Sequence, residues 1–398
     1  MTVLIAGGGI AGPITAHALR KAGIDAVVFE ARSETADAAG AFLTLATNGI
    51  DALRTIGAGE AALAAGFSTP TLTLRSSTGK NLGATRTGRE LPDGTASHTL
   101  RRADLYRILH DEAVSRGVRI EHGKRLVGAE ETGDGVRAVF ADGTEATGEL
   151  LIGADGVHST VRSLIDPAAP APAYSGLISL GGYAAGTGLD GADGGYTMIF
   201  GRRAFFGYAA SPDDGVWWFA NVPRAREPER GELEAVSGEQ WRRTLTDLFA
   251  GDAGPAVRCV EASDPGDLRA TPVHSVPHLP VWHNGRMVVI GDAAHAPTPT
   301  SGQGASLSIE DAVVLAKCLR DLPAPRAAFA RFEELRRPRV ESIIKAAARI
   351  NSNKAAGPVG RVLRDTFLPV VLKLTANSKQ VMSAYDHHID WDERVTAN

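Results

Sequence analysis

The segment Gly7-Gly8-Gly9-Ile10-Ala11-Gly12 constrains this chain more than any other, because everything around it agrees with it. Residues 3–6 form a short apolar run, 13–22 contain no internal helix breaker, and Gly23 precedes a second apolar run, 24–29, closed by Glu30. Strand, glycine turn, helix and strand within about 30 residues make a βαβ unit. Glycines in such a turn let backbone N–H groups approach a pyrophosphate at the positive end of a helix. The carboxylate of Glu30, eighteen residues past Gly12, is spaced to accept hydrogen bonds from ribose hydroxyls and to disfavour a 2′-phosphate. Gly7, Gly9, Ile10, Ala11, Gly12, Glu30 and the neighbouring Arg32 are therefore expected to bind one adenine dinucleotide. This motif alone leaves FAD and NAD both open.

Composition narrows the partners. At ~150 residues per domain, 398 residues predict two to three domain-sized units. Lys+Arg 42 against Asp+Glu 46 leaves a net charge of −4, so no overall field draws nucleic acid or an anionic membrane. Cys259 and Cys318 are too few for a disulfide framework, which fits a reducing cytoplasm. His274, His278, His283 and His295 lack metal-ligand spacing, and no metal is expected. No basic residue precedes the apolar start as a signal peptide needs. No apolar run approaches the ~18 residues of a membrane span, and the longest candidate, 367–372, contains Pro369. The expectation is a cytoplasmic monomer or homodimer with a small-molecule ligand and no nucleic-acid or membrane partner.

The pattern along the chain predicts an α/β fold with inserted sheets. Helices are expected over 48–56 and Arg102–Ser115, and alternating runs at 125–130, Val136–Phe140 and 145–152, with glycine turns between them, predict an antiparallel meander. Further strands are expected at 196–200, Phe205–Ala210 and 216–222. A buried strand at 287–291 returns to the first unit, followed by a helix at 304–319, a charged helical stretch at 326–351 interrupted at Pro338, and a last helix near 359–374. The expected division is a discontinuous Rossmann-like domain (1–167 and 278–350), a β-sheet substrate domain (168–277) and a C-terminal helical segment (351–398).

Two more motifs follow apolar runs: Gly153-Ala154-Asp155-Gly156-Val157-His158-Ser159-Thr160-Val161-Arg162 and Gly291-Asp292-Ala293-Ala294-His295-Ala296-Pro297. Each places Gly-Asp at the carboxyl end of a strand, the edge where ligands of open α/β sheets lie. With these three motifs in this order, the chain resembles the class A flavoprotein monooxygenases, the para-hydroxybenzoate hydroxylase-like family. The resemblance covers residues 1 to about 350 and implies FAD as the dinucleotide. It places the pyrophosphate at Gly7, Gly9 and Gly12, the adenosine ribose at Glu30, the cofactor phosphates near Arg102, and the ribitol at Asp292. Asp155 is implied to brace the site, and Pro299 and the Gly302-Gln303-Gly304-Ala305 turn to sit beside the isoalloxazine. Many relatives carry Asn where Ser306 stands here. His295 is read as structural, and Arg331, Arg336, Arg337 and Arg339 as a solvated helix face.

The resemblance further implies a transient NADH or NADPH and a flavin C4a-hydroperoxide that delivers one oxygen atom from O2. The substrate is expected between the flavin and the second sheet, with Phe200, Tyr208, Trp217 and Phe219 toward the flavin, which favours an aromatic, polycyclic or polyketide-like molecule. Period-two alternation puts Trp217 and Phe219 on one face and Trp218 on the other. Three rival readings are a superfamily reductase, a flavin-dependent halogenase, whose W-x-W-x-I-P motif residues 217–223 do not meet, and a non-catalytic prenyl-protein chaperone on the same fold.

Overall fold

The computed structural model describes residues 1–33, 42–189, 194–351, 357–375, 378 and 382–397. The apolar runs of the first unit assemble a six-stranded sheet in the order His283–Asn284, Met287–Val289, Leu150–Gly153, Thr2–Ala6, Asp25–Phe29, Arg119–Glu121. All neighbours are parallel except the first pair. Burial on both faces explains why these strands read as continuous Val/Ile/Leu runs. Thr2–Ala6 pairs with both Asp25–Phe29 and Leu150–Gly153, and the latter with Met287–Val289. All three glycine motifs therefore leave adjacent strands at one sheet edge.

The meander is present as Leu126–Glu131, Val136–Phe140 and Glu145–Gly148. The single run expected over 145–152 serves two sheets, since Leu150–Gly153 joins the parallel one. Glu149 marks the change of sheet, its N–H donating to the Thr2 carbonyl at 2.9 Å.

The second sheet has seven strands, ordered Thr271–Ser275, Ala173–Ala184, Val216–Pro223, Phe205–Ala210, Gly195–Phe200, Thr71–Ser76, Asn81–Arg86. Its last two strands come from the N-terminal part of the chain. Trp218, Phe206, Trp241, Leu245 and Phe249 form one buried cluster, in which helices Gly238–Phe249 and Ala256–Glu261 cover one face of the sheet. The Trp218 indole N–H, which burial would otherwise orphan, donates to Ser263 Oγ at 2.8 Å. Across the other face stands a three-stranded sheet, Phe42–Leu45, His98–Arg101 and Gly66–Ser68.

Helix Gly304–Asp321 is buried on nearly every side and packs on both Ala11–Lys21 and Pro325–Asn351. The interruption expected at Pro338 is absent: Pro325–Asn351 is one helix. Side chains flanking the proline hold that turn, with Arg337 donating to the Leu279 carbonyl (2.7 Å) and Arg339 to Glu310 (2.8 Å). The last helix, Pro358–Thr375, lies against the edge strand Asn81–Arg86. Trp218→Ala is expected to cost about 3–5 kcal/mol in urea denaturation, because it opens a cavity and removes the donor that Ser263 Oγ accepts from.

Candidate functional site

The first glycine turn is shaped by close approach. Gly7 has φ +107°, and a side chain there would collide with the Ala154 carbonyl oxygen; one on Gly12 would collide with the Gly7 carbonyl. Gly9 instead faces open space. Helix Ala11–Lys21 begins with no side-chain cap and no acid in its first turn, so its N–H groups and positive dipole end are free for an anion. Glu30 closes the turn, accepting from the Gly8 N–H (2.6 Å) and the Arg32 N–H (2.9 Å), with the Arg32 side chain exposed beside it.

Asp155 is a brace. Its carboxylate accepts from Ser159 Oγ (2.5 Å), Thr160 N (2.7 Å) and Val161 N (3.1 Å), capping helix Thr160–Ile165. Burial raises its pKa, and these three hydrogen bonds oppose that rise. Arg162 then ties this motif to the next, donating to the Ala293 carbonyl (3.0 Å) and the Val157 carbonyl (2.8 Å). Asp292 is a carboxyl whose pKa burial raises, against the pull of Arg102 and His295. Arg102 donates through Nε to Tyr106 Oη (2.9 Å), and among the described residues no carboxylate forms an ion pair with it. Pro299 starts a 3-10 turn that ends at Gly302, in the left-handed region at φ +60°. Gly304 opens the buried helix, and a Cβ built on it would lie 3.9 Å from Asp292 Oδ1, with Ala305 half-buried next to it. This helix, too, has no side-chain cap and no acid in its first turn.

A buried polar network holds that helix end, and sequence reasoning missed most of it. Asn48 Nδ2 donates to Gln303 Oε1 (3.0 Å) and to Glu310 Oε1 (2.6 Å). Ser306 Oγ accepts from the Ala46 N–H at 3.2 Å, and Gly49 leaves the space that lets the two helices touch there. Asp311 accepts from the Gly291 N–H (2.9 Å) and Arg336 Nε (2.7 Å), and its Oδ2 is 2.5 Å from His295 Nε2. Arg336 also pairs with Glu310 at 2.6 Å, and Arg339 pairs with it at 2.8 Å. Arg336 is 1% exposed, which overturns the solvated-face reading for this residue. Burial would raise both acids, but His295 and Arg336 hold Asp311 down at about 2, and Arg336 and Arg339 hold Glu310 at about 2. The signal available in the sequence was the acidic pair Glu310-Asp311 set directly before the apolar run Ala312–Ala316 of one helix.

The aromatic face forms a box. Phe42 stands 5.9 Å from Trp217, 6.1 Å from Tyr196 and 6.2 Å from Phe219 between ring centroids, and Phe67 stands 5.1 Å from Trp217. Phe200 and Phe205 extend the same face. At one end, the Tyr196 hydroxyl meets Thr44 Oγ1 (2.8 Å), which meets Thr99 Oγ1 (3.0 Å) and through it Thr69 (2.9 Å). Burial pushes the Tyr196 pKa up to about 12. At the other end, Arg101 lies 4.6 Å over the Tyr183 ring and pairs with Asp214. Trp217 Nε1 is buried on this face with no hydrogen-bond partner among the described residues. Phe200, Trp217 and Phe219 thus share one face. Tyr208 does not: it pairs with Trp218 across the strands, so its side chain points to the helix-covered face.

Residues 1–347 match the FAD binding domain family. The chain belongs to that family. It is 33% identical over 356 residues to an aurachin C monooxygenase/isomerase from Stigmatella aurantiaca, covering 88% of each chain. It is 32% identical over 394 residues to a 3-amino-4-hydroxybenzoate 2-monooxygenase from Streptomyces platensis, covering 94% of this chain and 93% of the relative. The fold superposes with a TM-score of 0.83 on Klebsiella pneumoniae HpxO complexed with FAD and uric acid, at 25% identity and 97% coverage of both chains. As a member of the FAD binding domain family, the protein is an FAD-dependent monooxygenase. Its residues fit the cofactor: two uncapped helix N-termini, an open glycine cradle, and a carboxyl and a guanidinium without a mutual ion pair.

Gly12→Ala is expected to abolish FAD retention, read as loss of the 450-nm region of the visible spectrum in purified protein. The low acid pKa values carry a sign. Carboxyls depressed below their unfolded values stabilise the fold above the unfolded pKa, and this is lost as pH falls through the folded one. Melting temperature should therefore fall steeply between about pH 4 and 2. Arg336→Met should flatten that dependence and destabilise the protein by about 3–5 kcal/mol, since it removes the one buried cation that Glu310 and Asp311 share.

Proposed function

We propose that the protein inserts one oxygen atom of O2 into an aromatic small molecule held in the box between the two sheets, with NADH or NADPH as electron donor. The observation that carries this reading is the buried Trp217 indole N–H, which has no partner among the described residues, inside a box of aromatic rings. A buried donor without a partner costs about 1–3 kcal/mol, and an acceptor on a flat apolar substrate would satisfy it. Strand Phe42–Leu45 connects the box to the cofactor side: Phe42 and Thr44 line it, and the helix that follows carries Asn48 to Gln303.

FAD, when bound, supplies electron storage and oxygen activation. The chain supplies the rest. The uncapped N-terminus of Gly304–Asp321 offers N–H groups and a positive dipole end to the negative charge a reduced flavin carries. Phe42, Phe67, Trp217 and Phe219 exclude water from the reacting centre. Tyr196 remains a neutral phenol across the working pH range and, backed by Thr44 and Thr99, holds a polar substituent of the substrate. The site residues named from sequence take the roles given there, except Tyr208. The units 1–167 with 278–350 and 168–277 remain the working division, with residues 71–86 added to the second sheet. Two buried free thiols fit a cytoplasmic setting.

The test is NADH and NADPH oxidation in air, with oxygen uptake and product mass, across a panel of phenols and polycyclic aromatics. The expected result is at least about tenfold stimulation by one class and a product heavier by one oxygen atom; stimulation without oxygen uptake would replace this reading with a reductase. Trp217→Ala should raise KM for that substrate about tenfold or more, whereas Tyr208→Phe should leave it within about twofold.

A further inference from the structure

Helix Pro358–Thr375 is seated by one face and, among the described residues, unpartnered on the other. Inward, Leu368 joins the cluster of Leu82, Phe200 and Phe205, Leu372 lies against Gly83, and the Arg364 guanidinium stands 4.3 Å over the Phe200 ring. Outward, Val362, Leu363, Phe367, Val370, Val371 and Leu374 are 50–77% exposed, more than half of the large exposed apolar side chains among the described residues. Leu363, Phe367, Val370 and Leu374 follow a 4-3-4 spacing, which places them in one row along the helix. A contiguous apolar row of this kind on a water-exposed surface marks an interaction site.

The surrounding charge identifies the partner. The helix carries Arg361, Arg364 and Lys373 against the single acid Asp365. The edge hairpin beneath it, Thr71–Arg86, contains Arg75, Lys80 and Arg86 and no acid, although Arg86 pairs with Glu90 just beyond it, and Lys80 Nζ donates to the Asp365 carbonyl at 2.7 Å. This is a basic neighbourhood on a chain whose net charge is −4. Two copies meeting here would set basic segment against basic segment, and a row of four side chains flanked by Val362 and Val371 is narrow for the ~800 Å² each partner of a stable dimer buries. No helix among the described residues is long and apolar enough to cross a membrane. We propose that Pro358–Thr375 lies in the surface of an anionic bilayer, its apolar row among the acyl chains and Arg361 and Lys373 at the headgroups, while Arg364 stays buried against Phe200 and Asp365. The helix also flanks the Phe200 end of the aromatic face, so docking there would bring that face close to the bilayer. The absence of a strong overall charge, which argues against a membrane partner, averages over this local asymmetry.

The test is co-sedimentation of the FAD-loaded protein with phosphatidylcholine vesicles with and without 30% phosphatidylglycerol (about a third anionic lipid, as a probe of headgroup charge). Binding is expected to the anionic vesicles, to weaken in high salt, and to fall at least about tenfold in the double variant Phe367→Glu, Leu374→Glu. Both positions are exposed, and unchanged flavin content and melting temperature would show that the variant folds; Leu374→Ser is a milder second variant with the same expected direction. Absence of sedimentation with either vesicle, or sedimentation that the double variant leaves intact, would overturn the proposal. So would a concentration-dependent dimer in sedimentation velocity that the same variant dissolves, because that outcome gives the row to a second copy. None of these readouts depends on turnover, so they stand apart from the proposed oxygenation.

Discussion

The cluster of Glu310, Asp311, Arg336, Arg339 and His295 is the constraint on which the rest of the site depends. Charges of this kind are expensive to remove from water, and they are tolerated here because each is answered by an opposite charge or a backbone N–H at 2.5–2.9 Å. Arg336 is the member the two acids share, so its removal leaves Glu310 to Arg339 alone and Asp311 to His295 alone. The cluster joins four segments that are far apart in sequence: the Gly291 motif, the helix beginning at Gly304, the long helix through Arg336, and, through Asn48, the helix after strand Phe42–Leu45. The uncapped end of Gly304–Asp321 can therefore be presented to a cofactor without a cap of its own, since its position is held from behind.

Steric closeness does for the other half of the cleft what charge does here. Gly7 and Gly12 pack backbone on backbone, so the first helix starts directly over the strand that feeds it. The result is two helix N-termini, one on each side of Gly291, both with free N–H groups. In the function proposed above, one takes a phosphate and the other the electron-rich edge of a flavin, and the same dipole physics favours both.

The second sheet divides its labour by parity. Residues of one alternation bury against two helices and give that part of the molecule its core, with Trp218 fully satisfied by Ser263. Residues of the other alternation are left to the small sheet, and there the Trp217 N–H has no partner among the described residues. Two adjacent tryptophans thus differ in role because a strand turns its side chains through half a rotation at each step.

The sequence by itself determined the cofactor half. The glycine turn, Glu30, the Asp155 and Asp292 motifs and their flanking strands are local patterns, and each needs only residues within reach along the chain. It also determined that Trp217 and Phe219 share a face, since alternation is local. Only the tertiary structure decided which way that face looks, because the strand register pairing Tyr208 with Trp218 is set by a neighbouring strand. It also brought Thr71–Ser76 and Asn81–Arg86 into the second sheet, and it buried Arg336, whose surface-like surroundings in the sequence concealed its partners 25 and 26 residues away. The physical reason is common to these cases. Hydrogen bonds within an element are written in consecutive residues, whereas burial and pairing between elements depend on what the rest of the chain places opposite.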